Sequence, residues 1–296
     1  MDQFEKQLKR MQEGKGFIAA LDQSGGSTPK ALLGYGIQEN EYSGEEAMYN
    51  LIHTMRSRVI TNTSFSGDKI LGVILFEKTL NSKIEGIPTT EYLWKKNIVS
   101  FLKIDKGLEE KAFEVQLMKA IPHLDEIIQD AKKKGVFGTK MRSVIYGYNR
   151  DSIIKIVQQQ FNFARVIIEN GLIPIIEPEV DIHAHNKKEI EMTLKEEIQH
   201  QLGLLNTSQH VMLKLTLPSE DNFYHELTQN HQVVRVVALS GGYDIDEATD
   251  KLSKNKGVIA SFSRALLDDL RVNQSDAEFT KTLSTDIDRI YTASIT

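Results

Sequence analysis

The chain has 296 residues, 40% apolar and 26% charged, with a formal net charge of −5 at neutral pH. That length suits a single α/β barrel of roughly 250 residues with extensions, and the composition supplies a sizeable core. The absence of cysteine excludes a thiol nucleophile, a disulfide framework and a thiolate metal site; no apolar run is long enough to span a bilayer, and no basic block marks a nucleic-acid or acidic-lipid surface.

In chain order, strand-length apolar runs alternate with polar segments of helical period. Residues 1–10 are mostly polar and lack the apolar core of a signal peptide, so the protein is expected in the cytoplasm. Residues 16–21 (GFIAAL) form the first strand and residues 45–60 a helix. Residues 69–76 (KILGVILF) follow, then a short helix in which Trp94 packs beside Tyr92 and Leu93. The third strand is 98–104 (IVSFLKI), the fourth 136–141 (VFGTKM), with a helix over 124–134 between them. A helix over 152–169, capped by Asp151 and stopped by Asn170-Gly171, leads to strand 172–177 (LIPIIE). After a helix over 187–205 come strands 211–217 (VMLKLTL) and 233–239 (VVRVVAL), and after a helix over 246–254 the last strand, 258–262 (VIASF). Pro218-Ser219-Glu220 marks a further helix start.

Nearly continuous apolar runs fit parallel strands covered on both faces. Eight of them, with no linker between, imply one domain over 1–296: a closed (β/α)8 TIM-type barrel of the α/β class. An open doubly wound sheet would carry a G-x-G-x-x-G turn after its first strand, and none is present.

In such a barrel the site lies at the carboxyl ends of the strands. There the sequence places Asp22, Ser24 and Ser27 after the first strand and Lys103, Asp105 and Lys106 at the third. Lys140 and Arg142 close the fourth, Glu177-Pro178-Glu179 the fifth, and Lys214 lies in the sixth. Ser240-Gly241-Gly242 and Ser263-Arg264 follow the last two.

Lys214 stands between Leu213 and Leu215, and apolar surroundings lower a lysine's pKa towards the nucleophilic amine; a second cation, Lys140, lowers it further. A strand's period of two points Glu177 and Glu179 the same way, with Pro178 fixing a turn at the strand end, and two acids in unlike environments can divide proton transfers. The glycine turn with Ser240, Ser263 and Arg264 sits where barrels hold phosphate, and Ser24, Ser27, Lys103 and Arg142 can form a second anion site. Two such sites about one sugar length apart imply a bisphosphate. His183-Ala184-His185 lacks a third ligand at a familiar spacing and reads as a solvated loop, so the expectation is no metal and no cofactor.

Taken in order, GKGFIAALDQSGGS, FLKIDKG, GTKMRS, PIIEPEV, MLKLTLP, VVALSGG and ASFSRAL resemble the class I (Schiff-base) fructose-1,6-bisphosphate aldolases in their short bacterial form, over about residues 14–270. The resemblance implies a sugar-phosphate substrate and a metal-independent carbon–carbon lyase. It implies Lys214 as the Schiff-base lysine, Glu177 as the proton relay of carbinolamine dehydration, Glu179 as its companion, and Lys140 as the lysine near the ketone carbon. Asp22 corresponds to the aspartate that handles the C3 and C4 hydroxyls. Ser240, Gly241, Ser263 and Arg264 match the site for the ketone-half phosphate; Ser24, Ser27, Lys103 and Arg142 match the region of the other. Two departures stand out: Ser263 occupies a position that is glycine in the longer relatives, and where many eukaryotic relatives end in a terminal tyrosine this chain ends Ala293-Ser294-Ile295-Thr296, with Tyr291 a few residues earlier. The longer relatives' tetramer is not implied by this shorter chain. A Schiff-base aldolase for a stereoisomeric ketose phosphate, or a noncatalytic sugar-phosphate-binding barrel, are the other readings.

Overall fold

A strand with helices on one side and a barrel interior on the other must be apolar on both faces, which is why the apolar runs form the centre of the molecule. The computed structural model describes residues 1–296, the surroundings of Gly25 excepted. The barrel strands are β1 Phe17–Leu21, β2 Ile70–Leu75, β3 Val99–Lys103, β4 Gly138–Ile145, β5 Ile173–Val180, β6 Val211–Thr216, β7 Val233–Leu239 and β8 Val258–Ala260. They pair in chain order and are parallel throughout. Ala20 N–H donates to Phe262 O at 3.1 Å, joining the last strand's end to the first and closing the barrel.

The helices are α1 Gln3–Glu13, α2 Thr28–Tyr35, α3 Gly44–Thr61, α4 Glu77–Leu80, α5 Thr89–Lys95, α6 Leu124–Lys133, α7 Arg150–Glu169, α8 Lys187–Gly203, α9 His225–Thr228, α10 Ile245–Ser253, α11 Arg264–Leu267 and α12 Asp276–Ser294. None is long and apolar enough to cross a membrane among the described residues.

Alternation along each strand divides the core in two. Leu21, Val73, Leu75, Met141, Ile176, Leu213 and Leu215 pack outward in the layer between strands and helices. Ile18, Ala20, Val99, Phe101, Ile175, Met212 and Ile259 point inward, with Phe137, and fill the lower half of the barrel. Helix α1 lies against that end: Met11 joins the cluster, and Phe4, Leu8 and Trp94 of α5 pack on it.

Several local expectations are corrected. β4 and β5 run past their apolar stretches to Ile145 and Val180, so Pro178 lies inside a strand, opposite Ser143, and fixes no turn. Helix α7 begins at Arg150 and is capped by Asn149, whose side chain accepts from Ser152 N–H at 3.0 Å; Asp151 is inside the helix. Its end is as expected: Gly171 takes φ +83° and Leu172 N–H returns to Ile167 O. No helix begins at Pro218: Ser219 N–H donates to the Glu191 carboxylate at 3.0 Å, and the chain runs through turns until His225.

Candidate active site

The carboxyl ends of the barrel strands other than β2 open into one cavity of about 810 Å³, within the range of a small-molecule site. Asp22, Ser24, Ser27, Lys103, Lys140, Arg142, Glu177, Glu179, Lys214, Ser240, Gly241, Ser263 and Arg264 all line it. Gly242 does not; it lies against Arg264, and a Cβ there would be 3.6 Å from Nη2. Gly241 is required for a different reason. Its φ is +65°, and a Cβ would stand 2.7 Å from Ile182 Cγ2.

Four buried charges form the centre. Lys214 Nζ lies 3.1 Å from Glu177 Oε1. The other oxygen of that carboxylate meets Lys140 Nζ at 2.7 Å, and Lys140 meets Asp22 Oδ2 at 2.8 Å. The sequence is therefore lysine, acid, lysine, acid, each touching the next. Burial would push the Asp22 carboxyl up, but the ammonium groups of Lys140 and Lys214 outweigh it and hold it well below the usual carboxylate range. Burial likewise opposes the charge on Glu177, and Lys140 and Lys214 together keep its pKa below the ordinary value. For Lys140, burial favours loss of the proton; Asp22, Glu177 and Asp105 overcome that and raise its pKa. The two lysines thus differ. Lys140 is clamped between two carboxylates as a fixed ammonium, whereas Lys214 has a single carboxylate partner, Glu177.

The environment of Lys214 is not the apolar one its neighbours suggested. Leu213 and Leu215 point out towards the helices, because adjacent strand residues face opposite sides. Lys214 points in, above Met212, and its surroundings are the charged groups of β4, β5 and the end of β1. Lys140 is likewise no free second cation, since its charge is matched by Asp22 and Glu177.

Glu177 and Glu179 face the same cavity, as the strand period requires, yet with different partners: Glu179 pairs with Arg142 Nε. Lys103 is held by Asp105 Oδ1 at 2.5 Å. Ser27 closes its own turn, its hydroxyl donating to Ser24 O and accepting from Ser24 N–H. Arg264, across the mouth beside Ser240 and Gly241, enters no ion pair among the described residues. The expected anion groups are therefore unequal: Lys103 and Arg142 carry internal carboxylates, and Arg264 is open.

Several contributors were not expected. Lys30, Tyr35 and Asp268 line the cavity from α2 and the segment after α11. Gln160 of α7, fully buried, accepts from Glu177 N–H at 2.8 Å and donates to Ser143 Oγ at 3.1 Å, so it ties the ends of β4 and β5 from behind. A glutamine at a core position of the helical period was the one available signal. Tyr291, on α12, packs against the core of the helix layer and does not line the cavity. Among the described residues, no group of three or more His, Asp or Glu side chains is placed to hold a metal ion.

Known proteins share both the sequence and the fold. The pattern of the class-I fructose-bisphosphate aldolase family, a glycolytic family, matches residues 4–222. The "fructose-bisphosphate aldolase class 1" of Synechocystis sp. is 55% identical over 293 residues, covering 99% of this chain and 98% of its own. A fructose-bisphosphate aldolase from Plasmodium falciparum, solved in complex with TRAP and a small-molecule inhibitor, superposes with a TM-score of 0.75 at 20% identity. That match covers 98% of this chain and 93% of the other and speaks for the barrel alone. The chain belongs to the class I fructose-bisphosphate aldolase family.

Proposed function

We propose that this chain is a metal-independent fructose-bisphosphate aldolase in which Lys214 forms the Schiff base and residues 1–296 make one catalytic domain. The enzyme is a carbon–carbon lyase: it splits D-fructose 1,6-bisphosphate reversibly into dihydroxyacetone phosphate and D-glyceraldehyde 3-phosphate. Placement in the cytoplasm belongs to the same proposal and rests on the glycolytic character of the matched family.

Breaking the C3–C4 bond leaves an electron pair at C3, and a protonated imine at C2 takes it up. Lys214 passes its proton to Glu177, 3.1 Å away; the free amine adds to the C2 carbonyl, and a second proton moves from its nitrogen to the C2 oxygen, giving the carbinolamine. Glu177 returns the proton to the carbinolamine hydroxyl, which leaves as water and gives the iminium. Asp22 then takes the C4 hydroxyl proton; the C3–C4 pair moves into the iminium to form the enamine, and the aldehyde departs. One proton added at C3, balancing the one Asp22 took and restoring its carboxylate, and hydrolysis of the imine release dihydroxyacetone phosphate and restore the amine. Lys140, held cationic between Asp22 and Glu177, stabilises the oxygen charge that develops beside both acids. Ser240, Gly241, Ser263 and Arg264 hold the ketone-half phosphate; Ser24, Ser27, Lys103 and Arg142 border the other.

The observation that carries the proposal is the contact of Lys214 with Glu177 in a chain ending at Lys140 and Asp22. Binding alone needs no such set. Borohydride added with dihydroxyacetone phosphate should inactivate the enzyme and add one reduced triose phosphate to the peptide spanning 212–217. Labelling of Lys103, Lys106 or Lys140 instead would reassign the nucleophile, and no labelled lysine would end the Schiff-base reading. Prolonged EDTA treatment should leave cleavage unchanged; loss of activity restored by zinc would sink the metal-independent mechanism.

A further inference from the structure

Arg56, on α3, is the largest of the fully buried side chains, with 1% of its surface exposed. Among the described residues it has no carboxylate within ion-pair distance, which is unusual for a buried guanidinium. Its Nη1 donates to Thr79 Oγ1 at 2.8 Å. Its Nη2 donates twice to one residue, to Gln23 O at 2.5 Å and to Gln23 Oε1 at 3.2 Å. Gln23 directly follows Asp22, at the rim of the cavity.

A guanidinium has donors only, so the face of the Gln23 amide that meets Arg56 must be the oxygen. The NH2 end is then turned the other way. There it lies 2.5 Å from Ser263 Oγ, on the loop after β8. Since Nε2 donates, Ser263 must accept, and its single proton remains free to donate elsewhere. Ser263 caps nothing at the start of α11 and lines the cavity beside Ser240, Gly241 and Arg264. The polarity thus runs in one direction, from Arg56 through Gln23 to Ser263 and out into the cavity. A chain of donors that begins on a cation ends best on an anion, and each bond strengthens the next.

We propose that Arg56 is a positioning residue of the ketone-half phosphate site: it sets the orientation of the Gln23 amide, which fixes the Ser263 hydroxyl as a donor to a phosphate oxygen. The inference rests on the reading above that the Ser240 and Ser263-Arg264 loops hold that phosphate. It also gives Ser263 a role that a glycine at this position lacks.

Gln23→Glu is the primary test. The carboxylate keeps Arg56 satisfied, so the fold should hold, but it has no N–H to give. Ser263 would turn its proton to residue 23 and its lone pairs to the phosphate. The KM for dihydroxyacetone phosphate in the condensation direction should rise about tenfold or more, with a much smaller fall in kcat, as for a lost charge-assisted hydrogen bond. In a Ser263→Ala background the same substitution should have less than half that effect. Arg56→Met, which frees the amide to flip, should raise the KM about threefold or more with kcat largely kept. Should Arg56→Met fail to fold, Gln23→Glu and its cycle with Ser263→Ala still decide the matter, because both leave Arg56 in place. A KM for Gln23→Glu within twofold of the original, or an effect undiminished without the Ser263 hydroxyl, would overturn the proposal. If Ser263→Ala and Arg264→Ala both leave the KM for dihydroxyacetone phosphate unchanged, the phosphate-site reading fails instead.

Discussion

The two halves of the barrel interior come from the same strands and could hardly differ more. β1 places Ala20 in the lower half and is followed by Asp22 above it; β5 places Ile175 below and Glu177 above; β6 places Met212 below and Lys214 above. A step of two residues changes the interior from hydrocarbon to paired charge. Below, Phe101 packs edge-on to Phe137, with ring centroids 5.6 Å apart, over the bare backbone of Gly72 and Gly138. Above, Lys214 is 4% exposed, and Lys140, Glu177 and Asp22 around it are buried too. Stability and chemistry are therefore stacked along the barrel axis. The four central charges are tolerated because each meets an opposite one, so removal of a single member costs far more than the net worth of a pair.

Substitutions should separate the two halves by what they change. Lys214→Arg, in the upper half, keeps the charge facing Glu177 but cannot form an imine; it should abolish both turnover and borohydride trapping while leaving the thermal midpoint close to that of the parent. Glu177→Gln should still bind substrate, while carbinolamine dehydration slows by about 10²–10⁴-fold in single-turnover kinetics. Phe101→Ala should do the reverse. It empties the lower half, with an expected loss of about 3–5 kcal/mol in urea denaturation and little change in kcat per folded molecule. Arg264→Ala tests the upper half where it is open and not internally paired: dihydroxyacetone phosphate should bind about 1.5–3 kcal/mol more weakly, with the fold unaffected. If Phe101→Ala altered the kcat of folded enzyme as much as its stability, the two halves would not be independent.

The lower half was legible in the sequence and the upper half only in part. Apolar runs mark strands because burial on both faces leaves no room for polar residues, so every barrel strand could be located. Where the interior turns polar, the signal stops: β4 continues through Arg142 and Ser143, and β5 through Glu177 and Glu179, beyond their apolar stretches. The same limit explains the error about Lys214. Its flanking leucines are adjacent in sequence but belong to the outer layer, so apolar neighbours on a strand say nothing about what surrounds the side chain between them. Helix α1 carried Phe4, Leu8 and Met11 at helical spacing, yet its mainly polar sequence hid a role as the barrel's lower plug. Arg56 was not legible, and Gln160 only as a glutamine at a core position of its helix. Each is a polar residue on a helix face turned to the core, and only the strand ends across from it show what it holds.

Arg56 is not the one buried charge without an opposite partner; a second lies outside the barrel mouth. Asp286, on α12, is 3% exposed, enters no ion pair among the described residues, and has an Oδ2 without a hydrogen-bond partner. Burial pushes its carboxyl up to about 7, with the nearby Asp269 adding to the effect. The sign follows from the two states. Below the unfolded value near 4 both states are protonated and folding loses nothing. As the pH rises towards 7 the unfolded chain releases its proton while the folded protein keeps it, so stability falls; above 7 the penalty is constant. Asp286→Asn should therefore stabilise the protein at pH 8, by about 2 kcal/mol in urea denaturation, with the gain shrinking as the pH is lowered to 5. The activity of the folded enzyme should not change, because the residue lies outside the cavity. A gain of equal size at both pH values would mean that the amide improves packing rather than relieving a charge, and that the contrast between matched charges in the mouth and an unmatched one behind it is mistaken.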